Sequence, residues 1–177
     1  DAFKRIGLEI VEENAEIYNK SIVPSESAAL TSSVLTKGDF AFAFTINFFP
    51  WLSDICQLLN ITYISLIVDS PVLELYSNAI SNPVNRIFLF DKILFSEFEQ
   101  YNKGHIFHMP LAANTSKTDE IISLASDSDK KKYASDISFI GSTYQEKCPF
   151  NNAVLSDYER GFVDGIINAQ IGVYGFN

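Results

Sequence analysis

The sequence has few of the residues that most often announce a site. It holds two cysteines and two histidines in 177 residues. It has no Walker loop and no G-x-G-x-x-G fingerprint. No apolar run reaches the roughly 18 residues of a membrane helix, so no membrane span is expected. Basic charge is scarce: 13 Lys and Arg stand against 22 Asp and Glu, a net charge of −9. A pI near 4.6 gives no basic field for nucleic acid or anionic lipid. The one basic run, Lys130-Lys131-Lys132, lies beside Asp127 and Asp129 and reads as a solvated loop or helix end.

Cys56 falls in an apolar-periodic segment and Cys148 in a polar turn. With no signal peptide in view, both read as reduced thiols, and a cytoplasmic location is expected. Asn114-Thr115-Ser116 matches a glycosylation acceptor pattern and is taken as chance on the same ground. His105 and His108 flank a strand, three residues apart. Positions three apart on a strand face opposite ways. No Cys, Asp or Glu stands at ligand spacing from them, so no metal site is expected.

What is present can build a core. The chain is 47% hydrophobic and 20% charged, with 15 Phe and 8 Tyr. Leu8 to Val11 is a short strand candidate. Ser25 can cap a helix running to about Thr36, stopped by Gly38. Phe40 to Ile46 is apolar on both faces, as a strand of a covered parallel sheet is. Pro50 opens a helix whose stripe is Leu52, Ile55, Cys56 and Leu59. Ile61 to Val68 is the next strand. Ser70-Pro71 opens a helix with Leu75, Tyr76, Ala79 and Ile80 inward, ended by Asn82-Pro83. Arg86 to Phe90 is a strand, Leu94 to Tyr101 a helix, and His105 to Met109 a strand.

This alternation predicts an α/β fold with a Rossmann-like, doubly wound parallel sheet. The expected organisation is a domain over 1–113, a polar linker over 114–135 with a short helix near Glu120 to Ala125, and a second domain beginning at 136. There Ile137 to Ile140 reads as a strand and Asp157 to Tyr174 as a helix. Asp1 to Arg5 resembles the end of an amphipathic helix. The expectation is therefore a fragment, or a sheet whose opening strand is missing.

Ligands of open α/β sheets bind beyond the carboxyl ends of the strands. Those ends are Asn47, Asp69, Asp91, the stretch Pro110 to Asn114, and Gly141-Ser142. Asp69 can act as a base or hold sugar hydroxyls; it or Ser70 can equally cap the helix at Pro71. Asp91 has the same two readings. Asn47 can cap the next helix or donate to a ligand. Phe48, Phe49 and Trp51 can form a stacking wall or close the core. His108 is a lone-base candidate. Gly141 and Ser142 can offer backbone N–H groups to a phosphate.

Five stretches in order carry a family resemblance: Phe44-Thr45-Ile46-Asn47-Phe48-Phe49-Pro50; Val68-Asp69-Ser70-Pro71 with Leu75-Tyr76; Arg86 to Asp91; His108-Met109-Pro110-Leu111-Ala112; and Ile137 to Ser142 with Glu146-Lys147. Each is short, and their order and spacing carry the likeness. Over most of residues 38–177 the chain resembles bacterial glycosyltransferases related to the spore-maturation protein CgeB, and more narrowly their uncharacterised N-terminal domain. The resemblance implies a GT-B architecture, with an N-terminal domain receiving the acceptor and a C-terminal domain holding the nucleotide-sugar.

It further implies that this part binds no cofactor and transfers no sugar by itself. The nucleotide-sugar donor is expected for the full-length protein. The expected partners are a sugar, glycan or protein acceptor and the remaining C-terminal domain. Asp69 and His108 are then the catalytic candidates, Asn47, Phe48 and Asp91 the acceptor contacts, and Gly141 and Ser142 phosphate-proximal. The rival expectation is a non-catalytic α/β binding or interaction domain. A nicotinamide enzyme would need a glycine fingerprint before Asp1.

Overall fold

The structure is a computed structural model that describes residues 2–14, 24–142 and 148–173. It falls into two compact units, Asp1–Thr115 and Ser116–Asn177. The expected Glu146, Lys147 and Tyr174 lie outside the described residues.

The first unit is built on a four-stranded, all-parallel sheet: β1 (Phe42–Ile46), β2 (Thr62–Ile67), β3 (Asn85–Leu89) and β4 (Ile106–His108). The strand order is β1-β2-β3-β4. Parallel neighbours need crossovers, and here each crossover is short and helical. Helix α1 (Ala2–Arg5) and helix α2 (Pro24–Leu35) precede β1. Helix α3 (Pro50–Leu59) links β1 to β2, with Pro50 in its first turn and Leu52 and Cys56 buried one turn apart. It stops at Asn60, whose left-handed backbone (φ 55°) lets its N–H reach the Cys56 and Gln57 carbonyls. Helix α4 (Lys92–Phe98), continued by a 3₁₀ turn Glu99–Tyr101, links β3 to β4.

The order advances without reversing, so the reversal of a doubly wound sheet does not occur among the described strands. Right-handed crossovers that march one way place their helices on one face. Burial follows this rule. Tyr63, Ser65 and Ile67 of β2, Asn85, Ile87 and Leu89 of β3, and Ile106 of β4 share the face that meets the core, and all are buried. Leu52, Cys56, Leu75, Ile80 and Phe98 come down onto it from the crossovers.

Several expected elements differ. The helix expected after Pro71 is instead two 3₁₀ turns, Leu73–Tyr76 and Asn78–Ser81. Ser77 divides them: its backbone is extended and its hydroxyl accepts the Ala79 N–H, so the ladder restarts. Leu75, Ala79 and Ile80 are still buried, but Tyr76 points outward. Leu8 to Val11 forms no strand; Leu8 and Val11 are exposed and pair with nothing in the sheet.

A buried polar network fixes the amino ends of the strands. The Asn85 amide donates to the carbonyls of Ala79 (2.8 Å) and Ile80 (3.1 Å), and its oxygen accepts from Ser53 at 2.7 Å. Asn102 donates to Ile80 and Asn82. The Ile80 carbonyl accepts from both amides, and the Ala79 and Asn82 carbonyls accept them alongside the backbone N–H groups of Asn82 and Asn85.

The second unit contains helix α5 (Thr115–Leu124, beginning at the boundary), helix α6 (Asp127–Tyr133), a 3₁₀ turn Pro149–Asn152 and helix α7 (Asp157–Ile171). Two of its helices start with reciprocal capping, Ser126 with Asp129 and Ser156 with Glu159. The stretch expected as a linker is thus largely helical. The strand expected at Ile137–Ile140 is absent. Those residues are irregular and no described strand pairs with them; Ile137 and Ile140 are 94% and 97% exposed.

Candidate functional site

Because the sheet is parallel, the carboxyl ends of all four strands lie along one edge. Asn47 follows β1 directly, and Asp69 comes two residues after β2. The register sets Ile46 beside Leu66, so the two loops emerge side by side.

Asn47 ties them together. Its backbone is left-handed, φ 61°, a conformation Asn tolerates better than most residues. Its main-chain N–H donates to the Leu66 carbonyl at 2.8 Å. Its side-chain oxygen accepts the Val68 N–H at 3.1 Å, and its amide donates to Asp69 Oδ2 at 2.5 Å. The Asp69 carboxylate is therefore aimed by a neutral donor. It stands exposed, and no cation pairs with it among the described residues.

A relay of hydroxyls holds Asn47 from beneath. The Thr45 hydroxyl donates its one proton to the Asn47 carbonyl at 2.7 Å. Its oxygen is then left to accept from the Tyr63 hydroxyl, also at 2.7 Å. The Tyr63 oxygen in turn accepts the Phe49 N–H at 3.0 Å. Burial pushes the Tyr63 hydroxyl up to about 12, so it stays protonated and keeps donating. The relay was not legible in the sequence, because nothing marks a tyrosine inside an apolar strand as reaching a neighbouring loop.

The remaining candidates fall into different places. Asp91 caps α4: one carboxylate oxygen accepts the N–H groups of Ile93 (2.6 Å) and Leu94 (3.1 Å). Phe48, expected beside an acceptor, is 1% exposed and lies in the core with its ring 5.8 Å from that of Tyr63. The turn at Asn47 sends it inward. Phe49 and Trp51 are half-buried and meet edge to face against the same core.

His108 ends β4, exposed, with its ring 6.0 Å from that of Phe95. It pairs with Leu89 of β3, so one whole strand separates it from β2 and Asp69. Two strand spacings make that about 10 Å. The two side chains share no hydrogen bond, though one ligand can span them. His105 instead has Nδ1 within 2.8 Å of the Asn102 oxygen, in the structural network at the other end. Gly141 and Ser142 follow no strand, so the strand-end cradle expected for a phosphate is not formed by them.

Among the described residues, no three His, Cys, Asp or Glu gather to hold a metal ion. Cys56 is fully buried and its thiol is pushed up to about 11 by burial, which leaves it a poor nucleophile. No described helix is long and apolar enough to cross a membrane.

The arrangement presents an aimed carboxylate beside a primary amide on an open sheet edge. A carboxylate accepts from hydroxyls and can take a proton from one; the amide's second hydrogen can donate. Compared with known protein families, with curated proteins and with solved structures, the chain matches none.

Proposed function

We propose that this chain is the N-terminal, acceptor-side part of a bacterial nucleotide-sugar-dependent glycosyltransferase of GT-B architecture. The Asn47–Asp69 pair carries the reading, since it offers matched acceptor and donor groups where an α/β sheet takes its ligand. The ordered resemblance of residues 38–177 supports it. In this reading Asp69 holds the acceptor hydroxyl, and removes its proton if the sugar transfers with inversion. His108 borders the same edge. The donor lies on a second domain, where helix N-termini and basic side chains stabilise the leaving phosphate.

Two measurements test this. Calorimetry against a panel of nucleotide-sugars should show binding by the full-length protein and none by residues 1–177. Tight binding by residues 1–177 alone would overturn the acceptor-side assignment. Asp69→Asn in the full-length protein should lower kcat by about 10²- to 10⁴-fold with melting almost unchanged. Lost stability with activity per folded molecule intact would reduce Asp69 to a loop fastener. One observation favours the rival reading of an interaction domain: on the second face of the sheet, Phe44 is 37% exposed and Ile46 49%.

A further inference from the structure

The layer of crossovers over the core holds a cleft of about 210 Å³. It lies between the 3₁₀ turns Leu73–Tyr76 and Asn78–Ser81 on one side and the end of α4 with its 3₁₀ turn Glu99–Tyr101 on the other. Leu75, Ile80 and Phe98 line it and are buried. Tyr76 and Tyr101 line it too, and stand 63% and 53% exposed. The Tyr76 ring meets that of Phe98 edge to face at 4.9 Å, and the Tyr101 ring is tilted to it at 6.0 Å. The break at Ser77 leaves Tyr76 at the surface beside Phe98 instead of among the inward residues of a helix.

The rings and a carboxylate decide what fits there. With interplanar angles of 70° and 45°, the three rings give walls and not a flat stacking surface. Both outer rings flank that of Phe98, so their centres are at most about 11 Å apart, and one cation between them can lie within ~6 Å of each. Their hydroxyls are near enough to interact electrostatically, so both rings border one space. The Tyr76 hydroxyl donates to Glu97 Oε1 at 2.8 Å. A phenol that donates to a carboxylate has a more electron-rich ring face, which a cation favours. No cation pairs with Glu97 among the described residues. The lining hydroxyls of Ser77 and Ser81 are bonded within their own turn, which leaves little for a polyol. The net charge of −9 adds a long-range attraction for cations.

Independently of the proposed function, we propose that this cleft binds a small quaternary ammonium ion. Its methyl groups lie against Tyr76 and Tyr101 over the buried ring of Phe98, and Glu97 balances its charge. Size limits the ligand. Drug-sized ligands take about 300–1,000 Å³, so a cleft of about 210 Å³ suits a single head group. Hydration limits it further. A primary ammonium holds its water strongly, and aromatic rings cannot replace that water. A quaternary ammonium sheds water readily and presents methyl groups that carry the spread charge, which aromatic walls receive. Because the outer rings stay half open to solvent, binding is weak, with a Kd on the order of 1 mM.

Nuclear magnetic resonance titration of the 177-residue chain with choline tests this, beside the uncharged alcohol in which carbon replaces the choline nitrogen. The choline N-methyl resonance should move upfield through ring currents and saturate, and the uncharged alcohol should bind about fivefold more weakly or worse. Tyr76→Leu and, separately, Tyr101→Leu should each weaken choline binding by about threefold or more, with melting as in the unaltered chain. Tyr101→Phe keeps the ring and should hold choline to within about twofold. In the unaltered chain, tyrosine ring protons should show nuclear Overhauser contacts to the N-methyl group, which locates the site even where a leucine variant fails to fold. Equal binding of choline and the uncharged alcohol makes the cleft merely apolar and overturns the proposal. No saturation by choline up to about 50 mM overturns it as well. Choline binding that survives both leucine variants in folded form takes place elsewhere and overturns it too.

Discussion

Asn47 does two jobs with one side chain: it accepts the N–H of Val68 and aims the carboxylate of Asp69. Asn47→Ala should therefore cost more than Asn47→Gly. Both lose the side-chain bonds, but alanine must also hold a left-handed backbone, worth about 1–2 kcal/mol. Urea denaturation should show Asn47→Ala destabilised by about 2–4 kcal/mol, summing that strain with the lost bonds. Ser65 presents the opposite case. Its hydroxyl is fully buried in β2 and finds no partner among the described residues. Ser65→Ala should hold or raise stability, by up to about 1–2 kcal/mol; a clear loss would mean the hydroxyl bonds where none is seen. Asn47 and Asp69 were legible in sequence as polar residues at strand ends. Their mutual bond was not, because it depends on the register of two strands separated by a helix. Phe48 and Phe49 were equally indistinguishable, since the turn at Asn47 decides which ring enters the core.

Periodicity located the strands well wherever a neighbouring strand was there to pair. Three lie within their expected spans, shortened at the ends by one or two residues, and β3 is shifted one residue earlier, to begin at Asn85. It failed where the expectation rested on composition alone. Ile137 to Ile140 has strand-like residues and no pairing partner, and a strand without a ladder leaves its N–H and C=O groups to water. The crossover after Pro71 has the right apolar spacing for a helix, but Ser77 competes for the backbone and breaks it. Helix α7 was expected from its sequence at Asp157 to Tyr174, and a cap starts it. The Ser156 hydroxyl and backbone N–H both donate to Glu159, which holds that carboxyl below its ordinary range. A carboxyl depressed on folding stabilises the ionised helix above its ordinary pKa near 4.3 and loses that contribution as the pH falls through the depressed value. Far-ultraviolet circular dichroism of a peptide spanning 154–173 should lose helicity on acidification below about pH 4. In Ser156→Ala the starting helicity should be lower and the acid step smaller. An equal step in both would place the titration elsewhere.

At the scale of the whole molecule, every described residue of the buried hydrophobic core lies within the first unit. A chain ending at Thr115 should accordingly keep the melting transition of the 177-residue protein to within a few degrees, as followed by aromatic circular dichroism. Loss of the cooperative transition would show that the sheet depends on the second unit. The α/β class and the parallel sheet were legible because alternating strand and helix patterns admit few topologies. The winding was not, since the pattern is the same whether successive crossovers keep one direction or reverse. That steady order also bears on how the chain folds. Each strand pairs with the one completed about twenty residues earlier, so loop closure is short for a parallel sheet. As the chain leaves the ribosome, β2 can dock on β1, β3 on β2 and β4 on β3, each extending a single growing edge. No strand has to be threaded between two already joined.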